Sequence, residues 1–381
     1  MTKPPPLSPV RLQVKAGLGQ PDPSAALESL YRGFEREMLV PLWTEIGDLM
    51  PMQPQSKASP HRWQWANLVA LAEQAGELVP VGRGGERRAI ALANPSLGGR
   101  PFATPTLWAA IQYLMPGENA PEHRHSQHAF RFVVEGDGVW TVVNGDSVRM
   151  SRGDFLPQAA WNWHSHQNAA TRPMAWIDGL DIPFSYYMES QFFEHGRDVP
   201  DLPVQTMPAL CRSERLWRHP GLRPVSQLQD QPATPLLAYR WDDTDRALNE
   251  QLALEAEGDA VTLSAGHAAV RFINPTNGRD VLPTLRTEMH RLRSGVQSVV
   301  RREVGSSVFQ VFDGTGQVMV GDSSWSVARG DLFVVPSWAR FTARADPASA
   351  GLDLFRFSDA PIIEAVHAHR LAPGASENPV A

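Results

Sequence analysis

The sequence has very little cysteine: Cys211 is the single thiol among 381 residues. One thiol cannot form an intrachain disulfide, which excludes the disulfide-rich secreted scaffolds and favours a cytoplasmic location. The first ten residues also lack the apolar core of a signal peptide. No run of about 18 apolar residues occurs anywhere in the chain, so we expect no membrane-spanning segment.

An excess of positive charge is also missing. Lys and Arg together number 35 against 41 acidic residues, which gives a net charge of −6. Nucleic acid is therefore not expected as a partner, because phosphate binding depends on a net basic surface. A local basic site for a small anion is still compatible with this balance. With 42% hydrophobic residues, the chain can bury the cores of two or three domains.

Helical periodicity is confined to a few segments. Residues 1–23 are rich in proline and polar residues, and we expect them to form a mobile arm. Apolar residues at helical spacing predict one helix beginning at Ser24 and a second over 61–78. Further helices are expected over 244–257, within an otherwise irregular segment, and over 360–371.

The rest of the chain has the pattern of short strands. From about residue 103, apolar runs such as FRFVV and VWTVV alternate with turn signals, which is typical of a β-barrel or sandwich. Asn144 and Gly145, between VWTVV and SVRM, predict a two-residue hairpin turn. The strand pattern fades near residue 182 and returns after about residue 265.

The two β-rich segments are copies of one another. His123 follows one glycine by 6 residues and precedes another by 13, and Arg301 is flanked by glycines at the same distances. RGDF at 152–155 matches RGDL at 329–332. Matched blocks of this length predict two copies of one β-domain.

Three histidines of the first copy form a candidate metal site. His123 and His125 lie two residues apart, so in a strand their side chains point to the same face. His164 follows after a hairpin and the RGDF turn, and a small barrel can bring it beside the pair. An isolated His-x-His is usually incidental, but this spacing of histidines and glycines is far more specific. Three imidazoles do not by themselves select iron over manganese or zinc.

The segments "HRHSQHAFRFVVEGDG", "RGDF…WNWHSHQN" and "WIDGLDIPF" resemble the gentisate 1,2-dioxygenase family, which includes salicylate-cleaving relatives. The resemblance extends from about residue 28 to 365. It implies an all-β bicupin of two double-stranded β-helix (jelly-roll) barrels, with N-terminal helices and a connecting segment. The implied parts are the N-terminal arm and helices (1–95), the metal-bearing cupin (96–182), the connecting segment (183–265), the degenerate cupin (266–359) and a C-terminal helix and tail (360–381).

The resemblance also implies which residues carry the chemistry. One Fe(II) per subunit is expected on His123, His125 and His164, in the first cupin only. The implied catalytic residues are His166 as an acid–base group, Asp178 and Arg131. The implied substrate-binding residues are Arg83, Arg87, Trp108, Gln112 and Arg131, with Met50, Ala89 and Ala110 setting the size of the pocket.

Some residues depart from the pattern or take no part in it. The second copy has Arg301, Glu303 and Phe341 at the positions of the three histidines, so no metal is expected there, and Arg301 and Glu303 are expected to pair. Arg124 should point to the face opposite the ligands and be structural. His128 has no assigned role.

The expected reaction is the insertion of both atoms of O2 into gentisate, which opens the ring between the carboxyl-bearing carbon and the adjacent hydroxyl-bearing carbon. Salicylate, a substituted salicylate or 1-hydroxy-2-naphthoate is the alternative substrate. Two further alternatives are a non-catalytic bicupin that binds a small carboxylate and a cupin isomerase or decarboxylase using Mn or Zn. The expected partners are a small aromatic carboxylate and O2, in a homotetramer.

Overall fold

The computed structural model describes residues 24–79, 88–196 and 208–372. Its helices are α1 (Ser24–Arg36), α2 (Leu42–Leu49), α3 (Trp65–Leu78), α4 (Ile182–Tyr187), α5 (Arg212–Trp217), α6 (Trp241–Glu257) and α7 (Ala360–Ala365), with single 3₁₀ turns at Pro95–Leu97 and Val225–Gln227. The first ten strands are β1 (His61–Trp63), β2 (Ala89–Ala91), β3 (Trp108–Leu114), β4 (Asn119–His125), β5 (Ala129–Glu135), β6 (Asp137–Val143), β7 (Asp146–Ser151), β8 (Phe155–Gln158), β9 (His164–Asn168) and β10 (Met174–Leu180). The others are β11 (Phe193–His195), β12 (His267–Arg271), β13 (Arg286–Arg293), β14 (Ser307–Val320), β15 (Ser323–Ala328), β16 (Leu332–Val335), β17 (Phe341–Ala345) and β18 (Gly351–Ser358).

Several segments differ from their sequence-based expectations. The helix expected over 61–78 begins only at Trp65, because residues 61–63 form strand β1 instead. The helix expected over 360–371 is also too long. Helix α7 ends at Ala365, and His367 has a φ of 56°, which a right-handed helix cannot contain. The proposed arm over 1–23 lies outside the described residues. Within the ranges described, no helix combines the length and the apolar character needed to cross a membrane.

The N-terminal unit ends at Gln55, and its described part consists of α1 and α2. The ring of Phe34 lies edge-on to those of Tyr31 and Trp43, with centroids 6.1 and 6.0 Å apart. The indole of Trp43 donates a hydrogen bond to the Tyr31 hydroxyl at 3.0 Å. The aromatic residues of α1 thus join the two helices.

The first barrel consists of two five-stranded antiparallel sheets. One has the order β2-β3-β10-β5-β8 and the other β11-β4-β9-β6-β7. The predicted hairpin joins β6 to β7, with Val143 opposite Asp146. Asn144 and Gly145 between them have φ values of 48° and 81°, the positive values that this tight turn requires. The inner core between the sheets includes Val133, Trp176 and their apolar neighbours.

The second barrel is built on one eight-stranded sheet. Its main order is β1-β16-β14-β18-β13-β12, and β15 and β17 also pair with β14. Because β14 is 14 residues long, its two halves serve both faces of the barrel. The two barrels confirm the predicted all-β bicupin fold. The proposed domain boundaries remain predictions.

The outer faces of the two barrels meet in an aromatic core. Phe132 of β5 stacks on Phe355 of β18, with ring centroids 3.9 Å apart and an interplanar angle of 4°. Phe130 meets Phe357 edge-on at 4.9 Å. Alternation along β5 then turns the intervening Arg131 toward the inside of the first barrel. Packing of the barrels therefore leaves their inner faces for ligand sites.

Each barrel is also held by a helix that lies before the other barrel in the chain. Helix α3 precedes the first barrel and contacts the second, and α6 precedes the second barrel and contacts the first. The backbone N–H of Trp65, which opens α3, donates to Asp331 of the second barrel at 2.9 Å. The N–H of Trp241, which opens α6, donates to Asp154 of the first barrel at 3.0 Å. Both aspartates come from the repeated RGD segments, so the repeat includes these tryptophan-led helices as well as the barrels.

Gly153→Ala is expected to destabilise the fold through this contact. Gly153 has a φ of 85°, and a Cβ atom there would lie 2.7 Å from the ring of Trp241. The clash should cost about 2–3 kcal/mol, beyond the roughly 1 kcal/mol for a left-handed alanine. Urea unfolding measures the loss. The matched control is Gly145→Ala, which has a φ of 81° but open space around its Cβ. Equal losses in both variants would show that Trp241 imposes no constraint.

Two buried aspartates join the barrels in a reciprocal way. Asp181 follows β10 of the first barrel and accepts from the Thr284 hydroxyl at 2.6 Å. Asp359 follows β18 of the second barrel and accepts from the hydroxyl of Thr106 and from the backbone N–H of Ser306. Burial raises the pKa of each carboxyl to about 6, and the hydrogen bonds oppose this shift only in part.

Asp359→Asn is expected to remove a pH dependence of stability. Because the folded pKa of about 6 lies above the ordinary value of 3.8, the protonated carboxyl stabilises the fold below about pH 4. That contribution is lost as the pH rises through 6, about 3 kcal/mol in all. The asparagine variant should therefore gain stability relative to the parent between pH 4 and 8. Denaturant titrations across this range measure the difference, and parallel pH profiles would contradict the prediction.

Candidate metal centre and substrate pocket

Three buried histidines meet inside the first barrel. His123 and His125 lie at the end of β4, and His164 begins β9 directly opposite His123 in the strand register. The ring of His164 lies 4.0 Å from that of His123 and 5.1 Å from that of His125, measured between centroids. One nitrogen from each ring can be chosen so that all three lie within 4.8 Å of one another. The predicted cluster thus forms, although a hairpin separates His164 from His123 and His125 in the sequence.

Backbone carbonyls set the orientation of these rings. Nδ1 of His123 lies 2.9 Å from the carbonyl oxygen of Pro121, and Nδ1 of His125 lies 3.0 Å from that of Gln127. Nδ1 of His164 lies 3.0 Å from the carbonyl oxygen of Asn162. A carbonyl can only accept, so Nδ1 of His123 and Nδ1 of His125 carry the proton, and Nε2 of each presents its lone pair. This arrangement fits a divalent transition metal, because such second partners commonly orient metal-binding imidazoles.

A buried arginine faces the histidines from the other sheet. Arg131 of β5 donates from Nε to Nε2 of His166 at 3.1 Å and from Nη1 to the side-chain oxygen of Gln158 at 2.6 Å. Its Nε lies 3.8 Å from Asp178, the residue opposite it on β10. The Asp178 carboxylate also accepts from the indole of Trp176 at 3.1 Å. A charge inside the apolar run AFRFVV would be costly alone, and Asp178 provides the partner that it requires.

The charge of Arg131 survives its burial. Burial lowers the pKa of this guanidinium to about 10, and the negative charge of Asp178 opposes the shift. Arg131 is thus a cation at neutral pH, in a site where a lone charge would be costly. Since Nε2 of His166 accepts from this cation, the proton of the neutral imidazole lies on Nδ1.

The neighbouring strands supply the apolar side of the same interior. Trp108, Ala110 and Gln112 alternate along β3, so they share one face. Ala89 of β2 is opposite Gln112, and Asp178 is opposite Ala110. These registers place the predicted lining residues on the face that carries Arg131. Gln112 is fully buried, and neither atom of its amide has a hydrogen-bond partner among the residues described.

Three of the expected pocket residues are not tested by the structure. Arg83 and Arg87 lie outside the described residues. Met50 follows α2 and belongs to the N-terminal unit. Their roles remain predictions.

Two residues near the ligands have structural partners. Arg124 donates to Glu194 at 2.8 Å and lies over the ring of Trp163, which agrees with its expected place on the opposite face. His128, which had no assigned role, accepts the backbone N–H of Ala160 at 3.2 Å. Burial lowers the pKa of His128 to about 4, so it is neutral at physiological pH.

Sequence reasoning missed Gln158. Its side-chain amide contacts Nδ1 of His164 and also accepts from Arg131, so it links the metal ligands to the buried cation. Gln158 reaches this position because β8 pairs with β5 and places it opposite Ala129. A polar residue ending the buried strand FLPQ was the available signal.

The second barrel keeps the geometry and changes the residues. Arg301 and Phe341 form a bridge at the place of the His123–His164 pair. The backbone N–H of Trp338 donates to the Glu303 carbonyl, as that of Trp161 does to the His125 carbonyl. The expected pair forms, with Arg301 Nη2 3.4 Å from the Glu303 carboxylate.

Two such barrels, of which one holds a buried three-histidine cluster, define a bicupin with a potential mononuclear metal site. Residues 110–182 match the family model described as Cupin domain. A gentisate 1,2-dioxygenase from a Streptomyces species is 56% identical over 348 residues, which cover 91% of this chain and 96% of the relative. A 1-hydroxy-2-naphthoate 1,2-dioxygenase from Nocardioides sp. strain KP7 is 29% identical, with 90% and 86% covered.

Solved structures agree with these relatives. The salicylate 1,2-dioxygenase from Pseudoaminobacter salicylatoxidans, in a structure described as an adduct with gentisate, is 58% identical and has a TM-score of 0.88. The match covers 93% of this chain and 96% of that one. The chain belongs to the gentisate 1,2-dioxygenase family and is an aromatic ring-cleaving dioxygenase.

Proposed function

We propose that this chain is an Fe(II)-dependent gentisate 1,2-dioxygenase. It inserts both atoms of O2 into gentisate (2,5-dihydroxybenzoate), between the carboxyl-bearing carbon and the adjacent hydroxyl-bearing carbon, to give maleylpyruvate. The observation that carries this proposal is the buried cluster of three Nδ1-anchored histidines, which faces a buried arginine within one barrel. The 56% identity to a gentisate 1,2-dioxygenase supports the choice of substrate.

His123, His125 and His164 would hold one iron ion per subunit through Nε2. When bound, Fe(II) supplies a Lewis-acid centre and redox electrons at which a chelating hydroxy acid and O2 can react side by side. Three neutral ligands add no negative charge, so an anionic bidentate substrate complements the centre. The metal identity rests on the family, since three imidazoles suit several transition metals.

The protein's own groups bind and orient the substrate. Arg131 engages His166 and Gln158 through Nε and Nη1, which leaves Nη2 for the substrate's carboxylate. These two residues and Asp178 hold the guanidinium on three sides. It therefore loses little conformational entropy when it binds and orients an anion. His166 holds its proton at Nδ1 and is the acid–base candidate for the ring hydroxyl. Asp178 acts as a positioning residue that keeps Arg131 in place.

The additional hydroxyl of gentisate distinguishes it from salicylate. Ala89 and Ala110, on the face that carries Arg131, offer no group that binds a hydroxyl, and the indole of Trp108 can only donate. The Gln112 amide, on the same face, is buried and lacks a partner in the described chain. An unpaired buried amide costs free energy, which a bound hydroxyl would relieve. This favours gentisate, and salicylates or 1-hydroxy-2-naphthoate are the alternative substrates.

An oxygen-electrode screen tests the proposal. The protein is loaded anaerobically with Fe(II), mixed with gentisate, salicylate, substituted salicylates or 1-hydroxy-2-naphthoate, and then exposed to oxygen. Gentisate should give the highest kcat/KM, with one O2 consumed per ring and a strongly absorbing ring-opened product. Oxygen uptake with none of these compounds would contradict ring cleavage. Higher kcat/KM with another hydroxy acid would overturn the choice of gentisate alone.

Two other measurements address the remaining expectations. Loading with Mn or Zn should not restore oxygen uptake, and equal activity with these metals would contradict the assignment of iron. We also propose a homotetramer, on the family resemblance. Light scattering of the purified protein tests this assembly directly.

A further inference from the structure

The second barrel has lost the three histidines but has kept an open interior. A cavity of about 490 Å³ lies among β12, β13, β14, β17 and β18. This volume is in the range of small-molecule sites. Protein interiors are otherwise packed to the density of organic crystals, so a barrel with only a structural role would be filled by apolar side chains.

Charged residues line one side of this cavity instead. Arg356, at the centre, donates to Glu288 at 2.7 Å, to the Ser307 hydroxyl at 3.0 Å, and to Glu303. Arg271 also donates to Glu288, at 3.1 Å. Arg356 is almost fully buried, and its guanidinium is held by these hydrogen bonds. It therefore fixes the positions of the two carboxylates.

Arg301 differs from Arg356. Among the described residues, its one side-chain ion pair is the 3.4 Å contact with Glu303, whose carboxylate also serves Arg356. The Arg301 side chain is 31% exposed, against 4% for Arg356. Arg271 is more exposed, at 44%, but Glu288 holds it through both Nε and Nη2. Arg301 is therefore the weakly held cation of this cluster that a ligand in the cavity can reach.

Both carboxylates of the cluster are ionised and engaged by Arg356. Burial raises the pKa of Glu303, but the charges of Arg356 and Arg301 outweigh burial and hold this pKa below its usual range. Glu288 is likewise ionised, because Arg356 overcomes the effect of burial on its pKa. Since Arg356 donates to both Glu288 and Glu303, the longer contact of Arg301 with Glu303 leaves its guanidinium able to bind a further carboxylate.

Among the described residues, the other polar groups of the wall pair with one another rather than with Arg301. Arg286 is paired with Asp280 at 2.8 Å and with Glu364 at 2.7 Å, which satisfies its guanidinium within a separate cluster. His267 and His290 lie 3.2 Å apart through Nε2 and Nδ1. Burial lowers the pKa of His267 to about 3, so it stays neutral.

The other side of the cavity is apolar, formed by Leu263, Val299, Phe309, Phe341 and Leu354. By strand position, Phe309 stands where the first barrel has Arg131, and Phe341 where it has His164. The position of the buried cation Arg131 is thus apolar in the second copy. The position of the first metal ligand, His123, holds the guanidinium of Arg301 instead.

We propose that the second barrel binds a small organic carboxylate with an apolar body of about benzoate size, whose carboxylate pairs with Arg301 and whose body packs on Phe309 and Phe341. The site needs no metal, because a guanidinium binds a carboxylate through two parallel hydrogen bonds. It is a second ligand site, additional to the ring-cleaving centre and independent of the substrate preference of that centre.

Equilibrium dialysis of the full chain against radiolabelled benzoate tests this site. At millimolar benzoate, the parent should bind one more benzoate per chain than Arg301→Gln, whatever the first barrel binds. Arg340→Gln is the matched control, since Arg340 is exposed and lies just outside β17. It should bind as the parent does. Oxygen uptake by Arg301→Gln with the first barrel's substrate should stay within roughly twofold, as expected for distant, independent sites.

A second variant guards against a change of fold in the first. Val299→Trp fills the cavity without changing any charge, and it should also lose one benzoate per chain while keeping the circular dichroism spectrum of the parent. The proposal is overturned if parent and Arg301→Gln bind the same number of benzoates, or if the parent binds none. If Arg301→Gln does not fold, undiminished binding by Val299→Trp overturns it instead.

Discussion

Replacing His123 by alanine is expected to remove the metal and the activity together. The loss follows because His123 is one of three buried imidazoles with ring nitrogens within 4.8 Å of one another, and two ligands cannot close the same face of an ion. Second partners of metal ligands cost roughly 10–100-fold when mutated, and a ligand itself should cost more. Metal analysis of the purified variant and its oxygen uptake with gentisate measure the two effects.

The matched control for this variant is His219→Ala, which removes an exposed histidine outside both barrels. It should keep one metal ion per chain and the parent's kcat. A His123→Ala protein that retains both metal and ring cleavage would show that the three-histidine cluster is not the metal site. A variant that retains metal but lacks activity would place the loss in the reaction geometry rather than in metal affinity.

The cluster could be predicted from the sequence because its determinants are local or repeated. His123 and His125 share a face by the two-residue period of a strand, and His164 is located by its spacing from a turn that recurs in the second copy. Arg131 was recognisable as a buried cation from the apolar residues on either side of it. In each case, the signal lies within a few residues of the functional side chain.

What was missed depends on pairing between distant strands. Gln158 meets Arg131 and His164 only because β8 pairs with β5 in one register, and nothing beside Gln158 in the chain indicates that register. Trp241 contacts Gly153, which lies in the turn before β8, although the two residues are far apart in the chain and Trp241 belongs to a segment expected to be irregular. His61 also changed from helix to strand because β16 offers it an edge to pair with.

The second copy illustrates a related limit. The sequence predicts that Arg301 and Glu303 replace two ligands and pair, and they do. It does not predict that Arg356 shares Glu303, because that contact joins residues on separate strands. The incomplete pairing of Arg301 therefore became visible only in three dimensions. Buried charge is a property of the assembled barrel, whereas ligand spacing is a property of the chain.

Arg131→Lys is expected to lower kcat/KM for gentisate by roughly 10²–10³-fold, the loss typical of removing one fixed donor from a reaction site. Lysine keeps the positive charge beside Asp178, so no buried carboxylate is left alone. It cannot donate at once to His166, to Gln158 and to a substrate carboxylate, because an ammonium lacks the planar fork of a guanidinium. Steady-state oxygen uptake measures the change.

The metal content separates this effect from that of His123→Ala. Arg131 contacts His166 and Gln158 and none of the three ligands, so Arg131→Lys should still bind one metal ion per chain. Loss of metal would mean that the arginine supports the cluster, through Gln158 and His164, more than it binds substrate. If kcat/KM stays within about threefold of the parent, a contribution below roughly 1 kcal/mol follows. The substrate's carboxylate would then have to be bound by another cation of the chain.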